Sequence, residues 1–364
     1  MNTLPERRVM NTLPENSVTE TENRPPERHG IAYLSFTARG KALSERLCAA
    51  LGGAASCTRD APAPTLSGWT AENFPCRRAL VYVGAAGIAV RAVAPYLRGK
   101  AVDPAVIAVD ECGRFAVPLV SGHLGGANEL ARRIASVTGG AAAVTTATDV
   151  NGVFAVDEWA RRHNCAVVPV SGIKAVSAKI LNGETVRVYT AFPMAGDPPE
   201  GVELVRTAPE GVELVQTMPD VWVGVRRRPP LSLVPRILTL GVGCRRGTDA
   251  DALKRRFSAL CDKYELFPEA FRAAATIDIK AHEPGLLTFC AAHGWKLHVY
   301  RADELRRVPG TFTASAFVER RTGVDNVCER AAVLSSGGKL IVTKCAGDGV
   351  TFAVAQDPFS MDWS

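Results

Sequence analysis

The chain has 364 residues, carries 43 Lys and Arg against 37 Asp and Glu for a net charge of +6, and is 47% hydrophobic. These proportions exclude a disordered or fibrous polymer, and the longest apolar run, Ala79 to Val90, holds two glycines and falls well short of the ~20 residues that cross a bilayer. Ten scattered cysteines with no C-x-x-C and no Cys/His cluster predict reduced thiols, no disulfide scaffold, no bound metal and no redox pair.

Residues 1–30 contain MNTLPE at Met1 and again at Met10, with four Arg and five Glu. They read as a disordered leader with two candidate starts, neither a secretory signal nor a transit peptide, which places the protein in the cytoplasm. From Ile31 the pattern predicts strand, then a helix through Leu43, Leu47 and Leu51. Strands are expected at 79–83, 105–109 and 115–120, with a helix at 88–97 between the first two. Another helix runs from Gly125-Gly126 to Gly139-Gly140, followed by a strand at 142–145. Strands that are apolar without alternation are those of a parallel sheet covered on both faces. Residues 150–234 repeat the alternation on a smaller scale. They include an imperfect tandem copy with a ten-residue period, PEGVELV at Pro199 and Pro209, read as a local duplication that lengthens a loop or hairpin. Arg226-Arg-Arg-Pro-Pro230 marks the break before a last unit, 235–364, with strands at 237–240, 275–279, 297–300, 339–343 and 350–355. Thr248 and Asp251 form a near capping box for its first helix. The expected fold is therefore three consecutive α/β domains, 31–149, 150–234 and 235–364, with mainly parallel sheets flanked by helices.

Three segments have the composition of a site. Ser121-Gly-His-Leu-Gly-Gly-Ala-Asn-Glu129 lies between a buried strand and a helix, where open α/β sheets bind ligands. Gly122, Gly125 and Gly126 permit close backbone approach, the helix start favours an anion, and His123 titrates near neutral pH. The same features also suit a plain turn with a structural histidine. Thr145-Thr-Ala-Thr-Asp149 places hydroxyls and a carboxylate at the next strand end, either as ligand groups or as a helix cap, and Asp110-Glu111 reads either as a pair of proton-handling acids or as a turn. Gly241-Val-Gly-Cys-Arg-Arg-Gly247 resembles a phosphate loop without its spacing, and Arg245 and Arg246 suit carboxylates. Residues 226–256 hold nine basic and two acidic side chains, which predicts an anionic ligand or a solvated face rather than nucleic acid. Lys280, Glu283 and Lys344 are further polar candidates.

Taken in order, Gly87-Ile-Ala-Val-Arg91, Lys100-Ala-Val-Asp-Pro-Ala-Val106, Val109-Asp-Glu111, the 121–128 loop and the 145–149 cluster closely resemble the CbiG family of anaerobic cobalamin biosynthesis. The C-terminal segments Gly241–Gly247, Ile277–Lys280, Glu283–Leu286, Ser315–Val318 and Gly323–Glu329 extend the likeness, which spans about 31–356. The resemblance implies a cobalt-precorrin-5A hydrolase that opens a δ-lactone on a contracted macrocycle and expels acetaldehyde to give cobalt-precorrin-5B. It also implies a carboxylate-fringed substrate that carries its own cobalt, with no other cofactor, and transient contacts with neighbouring pathway enzymes. With it go these expected roles: His123 as base, Asn128 and nearby amides as oxyanion donors, and Glu111 or Asp149 orienting the imidazole. Arg91, Lys100, Ser121, Gly122, Gly125, Gly126, Thr145, Thr146, Gly241, Gly243, Arg245 and Arg246 would contact substrate in a cleft between the first domain and another. The competing readings are a non-catalytic carrier of the same macrocycle and, from the glycine loops alone, a nucleotide-binding protein.

Overall fold

Alternate residues of one strand, Ile31 and Tyr33 against Ala32 and Leu34, are buried in two different apolar clusters, so the first sheet is covered on both faces, as its unbroken hydrophobicity requires. The computed structural model describes residues 28–205 and 218–363, which excludes most of the expected leader and the second PEGVELV copy. The first domain runs β1 (Ile31–Ser35), α1 (Ala38–Leu51), β2 (Ala54–Cys57), α2 (Leu66–Asn73), β3 (Ala79–Val83), α3 (Ala86–Val93), β4 (Ala105–Val109), β5 (Phe115–Val120), α4 (Ala127–Thr138) and β6 (Ala141–Ala142). Its sheet has the order β2-β1-β3-β4-β5-β6. α1 and α4 cover one face, α2 and α3 the other. α2 arises in the stretch rich in Gly and Pro, where Thr65 caps it by accepting from the Gly68 amide at 3.1 Å.

The strand β5 departs from the expectation of parallel pairing. It lies antiparallel to β4, because Asp110 closes a tight turn by accepting from the Cys112 and Phe115 amides at 2.9 and 2.6 Å. So short a connection cannot make a parallel crossover. The 121–129 loop therefore emerges at the amino edge of β1, β3 and β4, the edge opposite the one expected, and β6, parallel to β5, delivers 145–149 to the same place.

The middle domain comprises α5 (Ala147–Asn151), α6 (Val156–Arg162), β7 (Cys165–Val168), α7 (Gly172–Leu181), β8 (Val186–Thr190), β9 (Met194–Ala195), β10 (Val202–Val205), β11 (Val221–Val223) and β12 (Leu231–Pro235). Five of these strands form a sheet of order β10-β8-β11-β12-β7. The first PEGVELV copy supplies β10, parallel to β8 at the edge of the sheet. The basic and proline-rich run 226–230 is followed at once by β12, which is buried throughout and pairs with β11 and β7, so the change of sheet comes after Pro235.

The third domain comprises β13 (Leu238–Cys244), α8 (Ala250–Lys263), β14 (Phe271–Ile277), α9 (Pro284–Ala292), β15 (Lys296–Tyr300), α10 (Ala302–Arg306), α11 (Ala316–Thr322), α12 (Cys328–Ser336), β16 (Lys339–Gly347), β17 (Val350–Gln356) and β18 (Met361–Asp362). Its sheet has the order β15-β14-β13-β17-β16, with β13, β14 and β15 parallel and the β16–β17 hairpin antiparallel. Gly241 and Gly243 lie inside β13 and form no ligand loop. A Cβ on Gly241 would stand 1.8 Å from the Cys328 carbonyl and one on Gly243 would stand 2.4 Å from Thr351 Oγ1, so these glycines let α12 and β17 close on the strand. The cap of α8 is Asp249, which accepts from the Ala252 amide at 2.6 Å, in place of the expected Thr248 and Asp251 pair. β18 then crosses back to pair with β9 of the middle domain. Its Asp362 carbonyl accepts from Trp159 Nε1 at 2.8 Å, and Trp363 stacks on Trp159 with ring centroids 5.0 Å apart. The whole is an α/β protein with mainly parallel sheets.

Candidate active site

The loop after β5 is tightly wound and turns several of its own donors inward. Ser121 takes φ 57, its hydroxyl donates to the Asp103 carbonyl at 3.0 Å, and a Cβ on Gly125 would stand 2.4 Å from Ser121 Cβ, so only glycine fits there. The Gly126, Ala127 and Asn128 amides donate to the carbonyls of His123, Ser121 and Gly122 at 2.9, 3.1 and 3.0 Å. The Gly126 and Ala127 amides and the Ser121 hydroxyl, expected to meet an anion, thus hold the loop in shape. What the loop presents is His123.

The His123 side chain is 8% exposed and lies between two carboxylates, with Nε2 2.6 Å from Asp149 Oδ2 and Nδ1 3.0 Å from Asp157 Oδ1. Asp157 stands in the first turn of α6, so the imidazole bridges the first domain to the middle one. Asn128 is 2% exposed and donates through Nδ2 to Thr146 Oγ1 and Asp149 Oδ2, both at 3.0 Å. Arg132 pairs with the other oxygen of Asp149, and Arg161 of α6 with Glu129 of α4, a second tie between the domains. Burial alone pulls the imidazole pKa down, but the hydrogen bonds and charges of Asp157 and Asp149 outweigh it and lift the value to about 9. Burial pushes Asp149 up, and the bonds from Arg132 and His123 carry it below the usual carboxylate range. At neutral pH the ring is therefore an imidazolium, held between Asp149 and Asp157.

The expected residues divide accordingly. His123, Asn128, Thr146 and Asp149 come together, with Thr145 exposed beside them. Asn128 faces Thr146 and Asp149 and so positions the cluster, where the sequence suggests an oxyanion donor. Glu111 lies at the opposite edge of the sheet, where it accepts from Thr37 Oγ1 at 2.5 Å, and cannot orient the imidazole. Arg91 and Lys100 are exposed, and so are Arg245 and Arg246 at the far end of β13. No hydrogen bond or ion pair among the described residues joins these four to the cluster.

Asp157 and Arg132 are the members of the cluster that the sequence reading lacks. Arg132 follows Asn128 by four residues, the spacing that puts both on one helix face. One ligand atom each from His123, Asp149 and Glu158 lie within 4.8 Å of one another, a spacing that a cation can bridge. Asp149 is already matched by Arg132 and Asn128, and Glu158 by Arg162 at 3.0 Å.

Three family descriptions match the chain in order: Cobalamin synthesis G N-terminal over 68–149, Cobalamin biosynthesis central region over 154–235, and Cobalamin synthesis G C-terminus over 238–355. A cobalt-precorrin-5A hydrolase of Salmonella typhimurium is 30% identical over 352 residues, which cover 89% of this chain and 97% of that protein. The chain belongs to the CbiG family. A second CbiG relative, the cobalt-precorrin-5A hydrolase of Priestia megaterium, is 29% identical over 79% of this chain and 80% of its own length. Among solved structures, a cobalamin biosynthesis protein G homolog from Sulfolobus solfataricus aligns over 90% of this chain and 97% of its own, at 18% identity and a TM-score of 0.38. Within the CbiG chain, the His123 cluster straddles the first and second of the three matched regions.

Proposed function

We propose that the chain is an enzyme, a cobalt-precorrin-5A hydrolase, which opens the δ-lactone of its substrate and releases acetaldehyde to leave cobalt-precorrin-5B. The observation that carries this is the extent of the likeness to the Salmonella hydrolase, 97% of that protein's length, which leaves no domain of the relative unmatched. The cobalt is part of the substrate, and the reaction needs no other cofactor. The protein works in the cytoplasm, with short-lived contacts to the enzymes that supply its substrate and take its product; no helix among the described residues is long and apolar enough to cross a membrane.

The charge state of His123 sets its part. As an imidazolium it begins as an acid and not as the base that a lone histidine suggests. Water adds to the lactone carbonyl and loses one proton to solvent, and His123, its Nε2–H turned from Asp149 to the substrate, protonates the departing oxygen as the lactone opens. The new carboxyl group gives its proton to solvent. The neutral imidazole then takes the proton back from the freed hydroxyl, the carbon–carbon bond breaks, acetaldehyde leaves, and the conjugated ring accepts the electron pair and is protonated. Asp149 and Asp157 hold the imidazole, Asn128 and Arg132 hold Asp149, and Thr145 and Thr146 border the approach.

Anaerobic incubation with cobalt-precorrin-5A tests both levels. Acetaldehyde should appear in step with the loss of a two-carbon unit from the macrocycle. His123→Gln should lower kcat by about 10²–10⁴-fold, the range for removal of a proton-transfer group, with KM little changed. A bound but unaltered ring points instead to the carrier reading, and full turnover by a folded His123→Gln protein removes His123 from the chemistry.

A further inference from the structure

We propose that the cleft between the middle and third domains seats a polycarboxylated tetrapyrrole ring, at a site that shares no residue with the His123 cluster. The inference rests on the corrin-precursor reading above for the identity of its ligand. The cleft has a volume of about 940 Å³, near the top of the ~300–1,000 Å³ range of small-molecule sites, and it lies at a domain junction, where such sites concentrate.

Its walls suit a flat conjugated ligand. Tyr189 of β8 and Trp222 of β11 pair with ring centroids 4.7 Å apart, and Phe192 meets Phe359 edge-on at 5.0 Å; all four line the cleft. Aromatic faces of this kind stack on planar π-systems. The charged groups suit a fringe of carboxylates. Arg226, Arg228 and Lys339 line the same cleft, against one acid, Asp357, which is already paired with Arg272 at 2.6 Å. Arg226 is held by the Tyr264 carbonyl at 2.8 Å and Arg228 by Glu265 at 3.2 Å, so both guanidinium groups are braced at the rim with donors to spare. Trp222 Nε1 and Asp357 Oδ1 are buried without a hydrogen-bond partner among the described residues. An unpaired buried donor costs stability, and a carboxylate toward which the Trp222 N–H turns recovers it. Apolar faces, an excess of positive charge and an unmet indole donor in one cleft match a macrocycle edged with acetate and propionate groups.

The substrate and the product share this ring chemistry. The test begins with a probe that is neither, uroporphyrin III, an air-stable octacarboxylate tetrapyrrole, titrated into the full chain while tryptophan emission is followed. The wild type should bind it saturably, Trp222→Phe should remove most of the quench, and Arg226→Glu with Lys339→Glu should weaken binding by about tenfold or more, as loss of charge-assisted contacts does. Both rim side chains are exposed, so their replacement leaves the core intact, which circular dichroism checks. In turnover, a raised KM at unchanged kcat in the double variant assigns the cleft to substrate, and an unchanged KM with weaker inhibition by added product assigns it to product. No saturable binding by the wild type, or binding and quench unaltered in the folded variants, overturns the cleft. A wild type that binds the probe there but releases no acetaldehyde from cobalt-precorrin-5A leaves the cleft standing and removes the hydrolase reading.

Discussion

An imidazole with a carboxylate on each ring nitrogen stays a cation through neutral pH, and that fact governs how the His123 region responds to pH. Its pKa in the folded protein, about 9, stands above the ordinary value of 6.5, so protonation favours the folded state. This contribution is complete below about pH 6.5, declines as pH rises, and is lost above about 9. Thermal melts should therefore show Tm falling across that window, and His123→Gln should flatten the fall. Turnover should decline through the same upper limit, because the acid form does the first proton transfer. Asp157→Asn should move the kinetic limb to lower pH while leaving acetaldehyde as the product; an unmoved limb would show that Asp157 does not tune the imidazole. Here the sequence is readable in part. The order of motifs singles out His123, Asn128 and Asp149, all of which converge. Asp157 escapes because its role depends on α6 meeting α4, a contact that no local pattern encodes. Glu111 misleads because one tight turn sends β5 back along the sheet, to leave the acid on the wrong edge.

At the scale of elements, close approach between backbones decides where glycine is required. Gly241 illustrates it, since its missing side chain is what allows the Cys328 end of α12 to rest on β13. Gly241→Ala should destabilise the chain by about 1–3 kcal/mol, the usual cost of overpacking, measured by urea unfolding, and should leave ring binding by the folded fraction unchanged. Stability equal to wild type would contradict the contact. From the sequence, a glycine that serves packing and a glycine that serves a ligand look the same, which is why Gly241-Val-Gly243 reads as a loop. Buried strands such as β1, β3 and β4 are legible because every residue is apolar or small and buried. α4 is legible because Gly139, at φ 75, ends it as a left-handed cap does. The direction of β5 is carried by the short gap between 109 and 115, too short for a parallel crossover, and not by the apolar pattern, which suits either direction.

At the scale of the molecule, the three domains are tied together by a few cross-links. The first is joined to the middle one by His123–Asp157 and Arg161–Glu129, and the third returns to the middle one through β18. Removing residues 360–363 takes away the β9 partner, the hydrogen bond to Trp159 and the stacked Trp363. The truncated chain should melt at least ~2–4 °C lower, the shift that about 1 kcal/mol produces in a protein of this order of size, with a red shift in tryptophan emission as Trp159 is uncovered. An unchanged melt and spectrum would mean that the tail carries no weight.

The returning tail also bears on the order in which the chain can mature. Trp159 and the Asp362 carbonyl that receives its indole hydrogen are 203 positions apart, and the whole third domain is synthesised between them. Chains are made at about 5–20 residues per second and domains fold as units in the order they emerge. The middle domain must then wait many seconds at the ribosome with one side of its core unsealed, to be closed by the tail of the domain made after it. Both domains are thus completed by the same last residues, and this interval is when a nascent chain has most need of a chaperone.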